Sequence, residues 1–95
     1  MVVGVLQLKM IFHDARSLKD KRGRLRKVLG RIKNQFEVAA AEIGDQNLWQ
    51  RAEIGVAVIG SDRALVNQVL DRVLNFADSL GIAEIIDHKI ELLNL

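Results

Sequence analysis

The chain has 95 residues, room for one domain around a single core, and no cysteine, which excludes disulfides and thiolate metal sites and fits a reducing compartment. Hydrophobic residues make up 49% of it, yet no run approaches the ~18 consecutive apolar residues of a membrane span, so a spanning segment is excluded while an apolar contact surface is not. The net charge of +2 conceals a segregation, since residues 1–36 sum to +8 and residues 37–95 to −6; that polarity favours an anionic partner on one side or association with a second copy.

Val2 to His13 alternates with period two. Val2, Gly4, Leu6, Leu8, Met10 and Phe12 lie on one face and Val3, Val5, Gln7, Lys9, Ile11 and His13 on the other, which predicts a long strand, β1. The same stretch lacks the basic start and small-residue cleavage site of a signal peptide, so it is read as part of the fold of a cytoplasmic protein.

After a short loop at Asp14 to Arg16, Ser17 is placed to cap a helix, α1, running from Leu18 to about Asn34. Asp20, three residues on, supplies an Asp version of the capping box and suits the positive end of the helix dipole. At 100° per residue, Leu18, Leu25, Val28, Leu29, Ile32 and Phe36 form a stripe about 100° wide, the width of a core-facing surface. Nine of the fourteen Lys and Arg residues fall between Ala15 and Lys33. Lys19, Arg24, Arg26, Lys27, Arg31 and Lys33 occupy the arc opposite the stripe, with Lys21 and Arg22 at its edges and Asp20 the single acid among them. Gly23 and Gly30 fall mid-arc, each costing roughly 1 kcal/mol against Ala.

The pattern then returns to a strand, β2, over residues 36–43, although its alanines favour helix. Gly44 to Gln50 carry turn chemistry, and residues 52–60 alternate again, with Ile54, Val56 and Val58 on one face of β3. Ser61 and Asp62 both offer an N-cap for helix α2, in which Leu65, Val66, Val69, Val73, Phe76, Ala77 and Leu80 recur at helical spacing until Gly81 ends it. A last strand, β4, over about Glu84 to Leu93 places Ile86, His88, Ile90 and Leu92 on one face.

The order βαββαβ, with short connections, predicts a single α+β domain over residues 1–95 of ferredoxin-like type: an antiparallel four-stranded sheet with two helices on one face. A right-handed crossover through α1 makes β1 and β2 parallel with room for β3 between them. The β1–α1 loop carrying Arg16 and Ser17 and the β2–β3 hairpin carrying Trp49, Gln50 and Arg51 are therefore expected at the same end of the sheet.

The two motifs ARSLKDKR, residues 15–22, and AEIGDQNLWQRAEIGVAVIG, residues 41–60, make the chain resemble the YlxP-like family of small bacterial proteins of unassigned function across its whole length. Trp-Gln-Arg flanked by a turn and a strand is the more specific of the two. The resemblance implies a ferredoxin-like fold and a bacterial cytoplasm, with members encoded beside translation and ribosome-maturation factors, and it supplies no catalytic residues.

No catalytic constellation, cofactor motif or metal-ligand spacing emerges from the residues. Ser17 and Ser61 read as caps, His13 and His88 lack a third ligand at metal spacing, and there is no Walker loop or dinucleotide fingerprint. His88, on an apolar strand face, reads as a core or edge residue. The basic face of α1 is either a solvated helix surface or a phosphate-contacting one, the latter favoured by the scarcity of acids and the free N–H groups at the helix start. Trp49 either closes the hairpin or stands exposed beside Arg51, as a base-stacking or interface aromatic would.

The expected function is non-enzymatic binding of RNA or of a ribosomal particle through Arg16, Ser17, Lys19, Lys21, Arg22, Arg24, Arg26, Lys27, Arg31, Trp49, Gln50 and Arg51. The rival reading is a module that binds an acidic protein surface or its own kind. On the sheet face away from the helices, Val3, Val5, Ala57 and Ile59 are expected to support a homodimer, since that face lacks the aromatics with which an RRM stacks bases.

Overall fold

A computed structural model describes residues 1–95 and has the order β1 (Val2–Ile11), α1 (Leu18–Gln35), β2 (Ala39–Gly44), β3 (Arg51–Gly60), α2 (Arg63–Ser79), β4 (Glu84–Asn94). The four strands form one sheet in the order β2-β3-β1-β4, and every neighbouring pair is antiparallel. This is the ferredoxin-like α+β arrangement, with β3 between the parallel pair β1 and β2.

The alternation of β1 decides the layering. Leu6, Leu8, Met10 and Phe12 are buried together with Ala52, Ile54 and Val56 of β3, and Leu25, Val28 and Ile32 of α1 and Leu70, Val73 and Ala77 of α2 complete the same core. Both helices thus cover one face of the sheet. The seat of α2 is close because β1 and β3 offer glycine beneath it. A Cβ built on Gly4 would stand 2.5 Å from Val66 Cγ1 and 2.8 Å from Leu70 Cδ1, and one on Gly60 would stand 2.8 Å from Val66 Cγ2. Asp62 caps α2 by accepting from the N–H groups of Ala64 and Leu65, and Gly81, at φ +66°, follows its C-cap residue Leu80.

Several boundaries differ from the periodicity. β1 ends at Ile11 rather than His13, with the Phe12 N–H still bonding the Gln50 carbonyl just beyond the last paired residues Ile11 and Arg51. β2 begins at Ala39 rather than residue 36: Phe36 is the C-cap of α1, its N–H donating to the Ile32 carbonyl and its ring meeting Phe76 edge-on at 5.6 Å. In α2 the buried residues are Val66, Leu70, Val73 and Ala77, while Leu65 is 60% exposed. The narrower seam follows from α2 lying on a sheet that touches only one side of it.

In β4 a bulge shifts the register. Lys9 pairs with Asp87 but Met10 pairs with Ile85, which leaves Ile86 as the extra residue, turned outward and 42% exposed, while Ile85 packs on the core. His88 is exposed on this edge strand and does not join the core.

The sheet face away from the helices has no layer over it. Val3, Val5 and Ala57 are half-buried there, and Ile59, Ile43 and Leu93 are exposed.

Candidate nucleic-acid interface

The start of α1 is fixed by a small network. The Asp20 N–H donates to Ser17 Oγ at 3.0 Å, as in a capping box, but the return bond differs: Asp20 Oδ2 accepts from the backbone N–H of Arg16, 3.1 Å away, rather than from Ser17. Asp20 Oδ1 accepts from Arg24 Nε at 3.1 Å. The Arg24 hydrogen bond first, and the Arg16 N–H second, hold the Asp20 carboxyl below the usual carboxylate range. Arg24 is therefore engaged at the surface by Asp20, and its Nη2 also reaches the Asp14 carbonyl.

Lys21 overturns one expectation. It is fully buried, and its Nζ donates to Glu42 Oε2 at 3.1 Å, to the carbonyls of Asp45 at 2.9 Å and Arg51 at 3.1 Å, and more weakly to that of Gln46 at 3.4 Å. Such an ammonium is spent inside the protein and does not reach an external anion. Its placement follows from spacing: Lys21, Leu25, Val28 and Ile32 stand at i, i+4, i+7 and i+11 and are the four buried residues of α1. Glu42 meets it because β2 pairs Ala40 with Val56 and Glu42 with Ile54, which sets Glu42 on the helix-covered face.

The other cations of α1 stand in water. Arg16, Lys19, Arg22, Arg26, Lys27, Arg31 and Lys33 are exposed, and none of them forms an ion pair. Lys33 belongs with this set, as its position on the helix wheel already indicated. A Cβ added at Gly23 or Gly30 would meet nothing within 4 Å, so no packing inside the chain explains these glycines. Ser17, Lys19, Gly23, Arg24 and Lys27 line an open cleft of about 770 Å³ together with Gly81, Ile82 and the two acids Asp14 and Asp20.

The β1–α1 loop and the β2–β3 hairpin do share one end of the sheet. The Phe12 N–H bonds the Gln50 carbonyl at 2.7 Å, and Gln50 Nε2 donates to the carbonyls of His13 at 3.1 Å and Ala15 at 3.2 Å. Gln50 thus fastens the hairpin to the loop with its own side chain. The hairpin turns through Asp45 at φ +58°, whose carbonyl is one of those held by Lys21. Trp49 does not close the hairpin by packing: it is 58% exposed, beside Leu48 at 45%. Arg51 is exposed at the start of β3. The periodicity gave no sign of Leu48, which lies in the turn.

The histidines serve elsewhere. His13 Nε2 bonds Glu84 Oε2 at the surface, and no group of three or more His, Asp and Glu side chains stands in an arrangement that could hold a metal ion. No helix is long and apolar enough to cross a membrane.

The family model described as "Protein of unknown function (DUF503)" matches residues 3–90. The chain is similar to the uncharacterized protein YlxP of Bacillus subtilis (strain 168), with 42% identity over 78 residues covering 82% of this chain and 85% of that protein. Among solved structures it resembles the de novo designed protein Foldit4, with a TM-score of 0.54 and 10% identity over 100% of this chain and 99% of the other, a likeness of fold alone.

Proposed function

We propose that this chain, which belongs to the DUF503 family, is a non-enzymatic RNA-binding protein of the cytoplasm that lays the exposed cations of α1 along RNA phosphates and presents Trp49 to an unpaired base. The observation that supports this reading best is the set Arg16, Lys19, Arg22, Arg26, Lys27, Arg31 and Lys33: seven exposed cations on one helix and its lead-in, none held in an ion pair. Cations left unpaired on a rigid helix release counterions from a phosphate backbone without first breaking bonds of their own. Lys21 and Gln50 have a supporting part here, since Lys21 holds the hairpin that carries Trp49 to α1 and Gln50 holds it to the β1–α1 loop. A ribosomal particle offers both features of such a target, dense phosphate and unpaired bases.

A second reading, an acidic protein surface as the partner, draws on the adjacent exposed Leu48 and Trp49, because apolar anchors ringed by charge also suit a protein interface. Titration of a labelled single-stranded RNA across a salt series separates the two. If about five cations contact phosphate, log K falls against log salt with a slope near −3.5, at roughly 0.7 per contact. Absence of binding at low salt, or binding indifferent to salt, would overturn the RNA reading, and capture by an acidic protein competitor would favour the second.

A further inference from the structure

We propose that the open face of the sheet is the contact surface for a second copy of this chain, in a symmetric dimer whose two-fold axis runs between β1 and β3, parallel to the strands. The β1–β3 register sets Val3 opposite Ile59, Val5 opposite Ala57, Gln7 opposite Gly55 and Lys9 opposite Glu53, all on the uncovered face. A two-fold axis along the strands lays each β1 residue over the β3 residue that stands opposite it in the register. Val5 then meets Ala57 of the second copy, Gln7 meets Gly55, and Lys9 meets Glu53, with each contact made twice. At the rim the same axis lays β4 over β2, so that Glu91 and Lys89 extend over Ala39 and Ala41 of the second copy.

The shape of the face suits that pairing. Ala39, Ala41, Gly55 and Ala57 floor a shallow apolar depression of about 400 Å³ beside Val5 and Ile43, so at the centre Val5 and Gln7 each face a small residue, Ala57 and Gly55. The charge suits it too. Lys9, Arg51 and Lys89 stand among Glu53, Glu84, Asp87 and Glu91 around the apolar centre, which leaves the face within one charge of neutral, and Lys89 already pairs with Glu91 at 2.8 Å. A balanced face neither attracts a polyanion nor repels its own copy, in contrast to the cationic helix layer behind it. Two strands of ten residues, one of eleven and one of six cover roughly 500–600 Å² per copy, or roughly 1,000–1,200 Å² in all, the lower limit of specific interfaces. The dimer is accordingly weak and of the aligned sheet-on-sheet type, and it leaves α1 of both copies facing outward.

Sedimentation of the full chain from about 1 μM to about 1 mM tests this. The expected result is a monomer–dimer equilibrium in the wild type, unaffected by Trp49→Ala, with Val5→Glu held at the monomer mass throughout. Lys9→Glu and Glu53→Lys, both at exposed or half-exposed positions, are expected to be monomeric separately and to form a mixed dimer when combined, because only the mixture places opposite charges across the interface. A wild type that stays monomeric over the whole range, a folded Val5→Glu that still dimerises, or charge variants that associate no better mixed than apart would overturn the proposal. The outcome is independent of RNA binding by the α1 cations, which lie on the helix side of the sheet.

Discussion

Lys21 Nζ lies 3.1 Å from Glu42 Oε2 in a position closed to solvent, and the same ammonium gathers carbonyls from both sides of the β2–β3 hairpin. Removing it leaves a carboxylate and three carbonyls without their donor, so Lys21→Met is expected to lower stability by about 3 kcal/mol, the scale of a broken buried pair. Arg26→Met, at an exposed and unpaired cation, is expected to stay within about 0.5 kcal/mol of wild type. Urea unfolding of the two variants checks this, and equal losses would mean that Lys21 is no more structural than its neighbours.

Lys27 and Arg31 make no bonds inside the chain. Replacing both with Gln is expected to reduce the steepness of the salt dependence by about 1.4, two contacts' worth, and to weaken binding to RNAs of different sequence by the same factor, since phosphate contacts carry no base information. Fluorescence anisotropy with two unrelated oligonucleotides measures both effects.

Trp49→Ala separates stacking from packing. With the ring 58% exposed, the melting temperature is expected to hold steady, while affinity for single-stranded RNA falls by about 1–3 kcal/mol with its salt slope unchanged. A drop in melting temperature without loss of affinity would assign Trp49 to the fold.

The contrast between Lys21 and Trp49 shows what was legible in the sequence and what was not. Element order, strand order and the shared end of the two loops follow from period-two and period-3.6 patterns, which report only which side of an element is apolar. Lys21 carries a charge, so a reading by polarity sets it at the rim of the basic arc, although its spacing from Leu25, Val28 and Ile32 places it among the buried residues of α1. Its partner Glu42 and the accepting carbonyls come from a hairpin more than twenty residues away, and no local pattern brings them together. The β4 bulge was invisible for a similar reason: an extra residue reverses the alternation, and only the pairing with β1 reveals where it sits. Trp49 was undecidable because a lone aromatic at a turn has no period.

Acid titration gives another check. Asp20 binds a proton less readily in the folded chain than its ordinary value of 3.8 would allow, because Arg24 and the Arg16 N–H bond its ionised form. The unfolded chain therefore takes up more protons in that window, so the stability contributed by Asp20 is fully present above about pH 4 and lost as pH falls through the depressed folded value. Asp20→Asn keeps an acceptor for the Arg16 N–H but loses the charge, and it is expected to flatten the fall of melting temperature below pH 4. Raising the salt concentration should shrink the difference, since the pair is exposed at the surface. An unchanged acid limb would remove Asp20 from the network that sets the start of α1.

The strand order β2-β3-β1-β4 also governs how the chain assembles. Everything required for three of the four strands, together with α1 and the Lys21 bonds, lies within the first sixty residues. As synthesis proceeds from the N-terminus, that unit can form while the part of the Leu6, Leu8, Ile54 and Val56 surface destined for α2 still faces water, waiting for Val66, Leu70 and Val73. A chain ending at Gly60 is therefore expected to leave that surface uncovered. Docking of α2 through Leu70, Val73 and Ala77 is what closes the core over Leu6, Leu8, Ile54 and Val56.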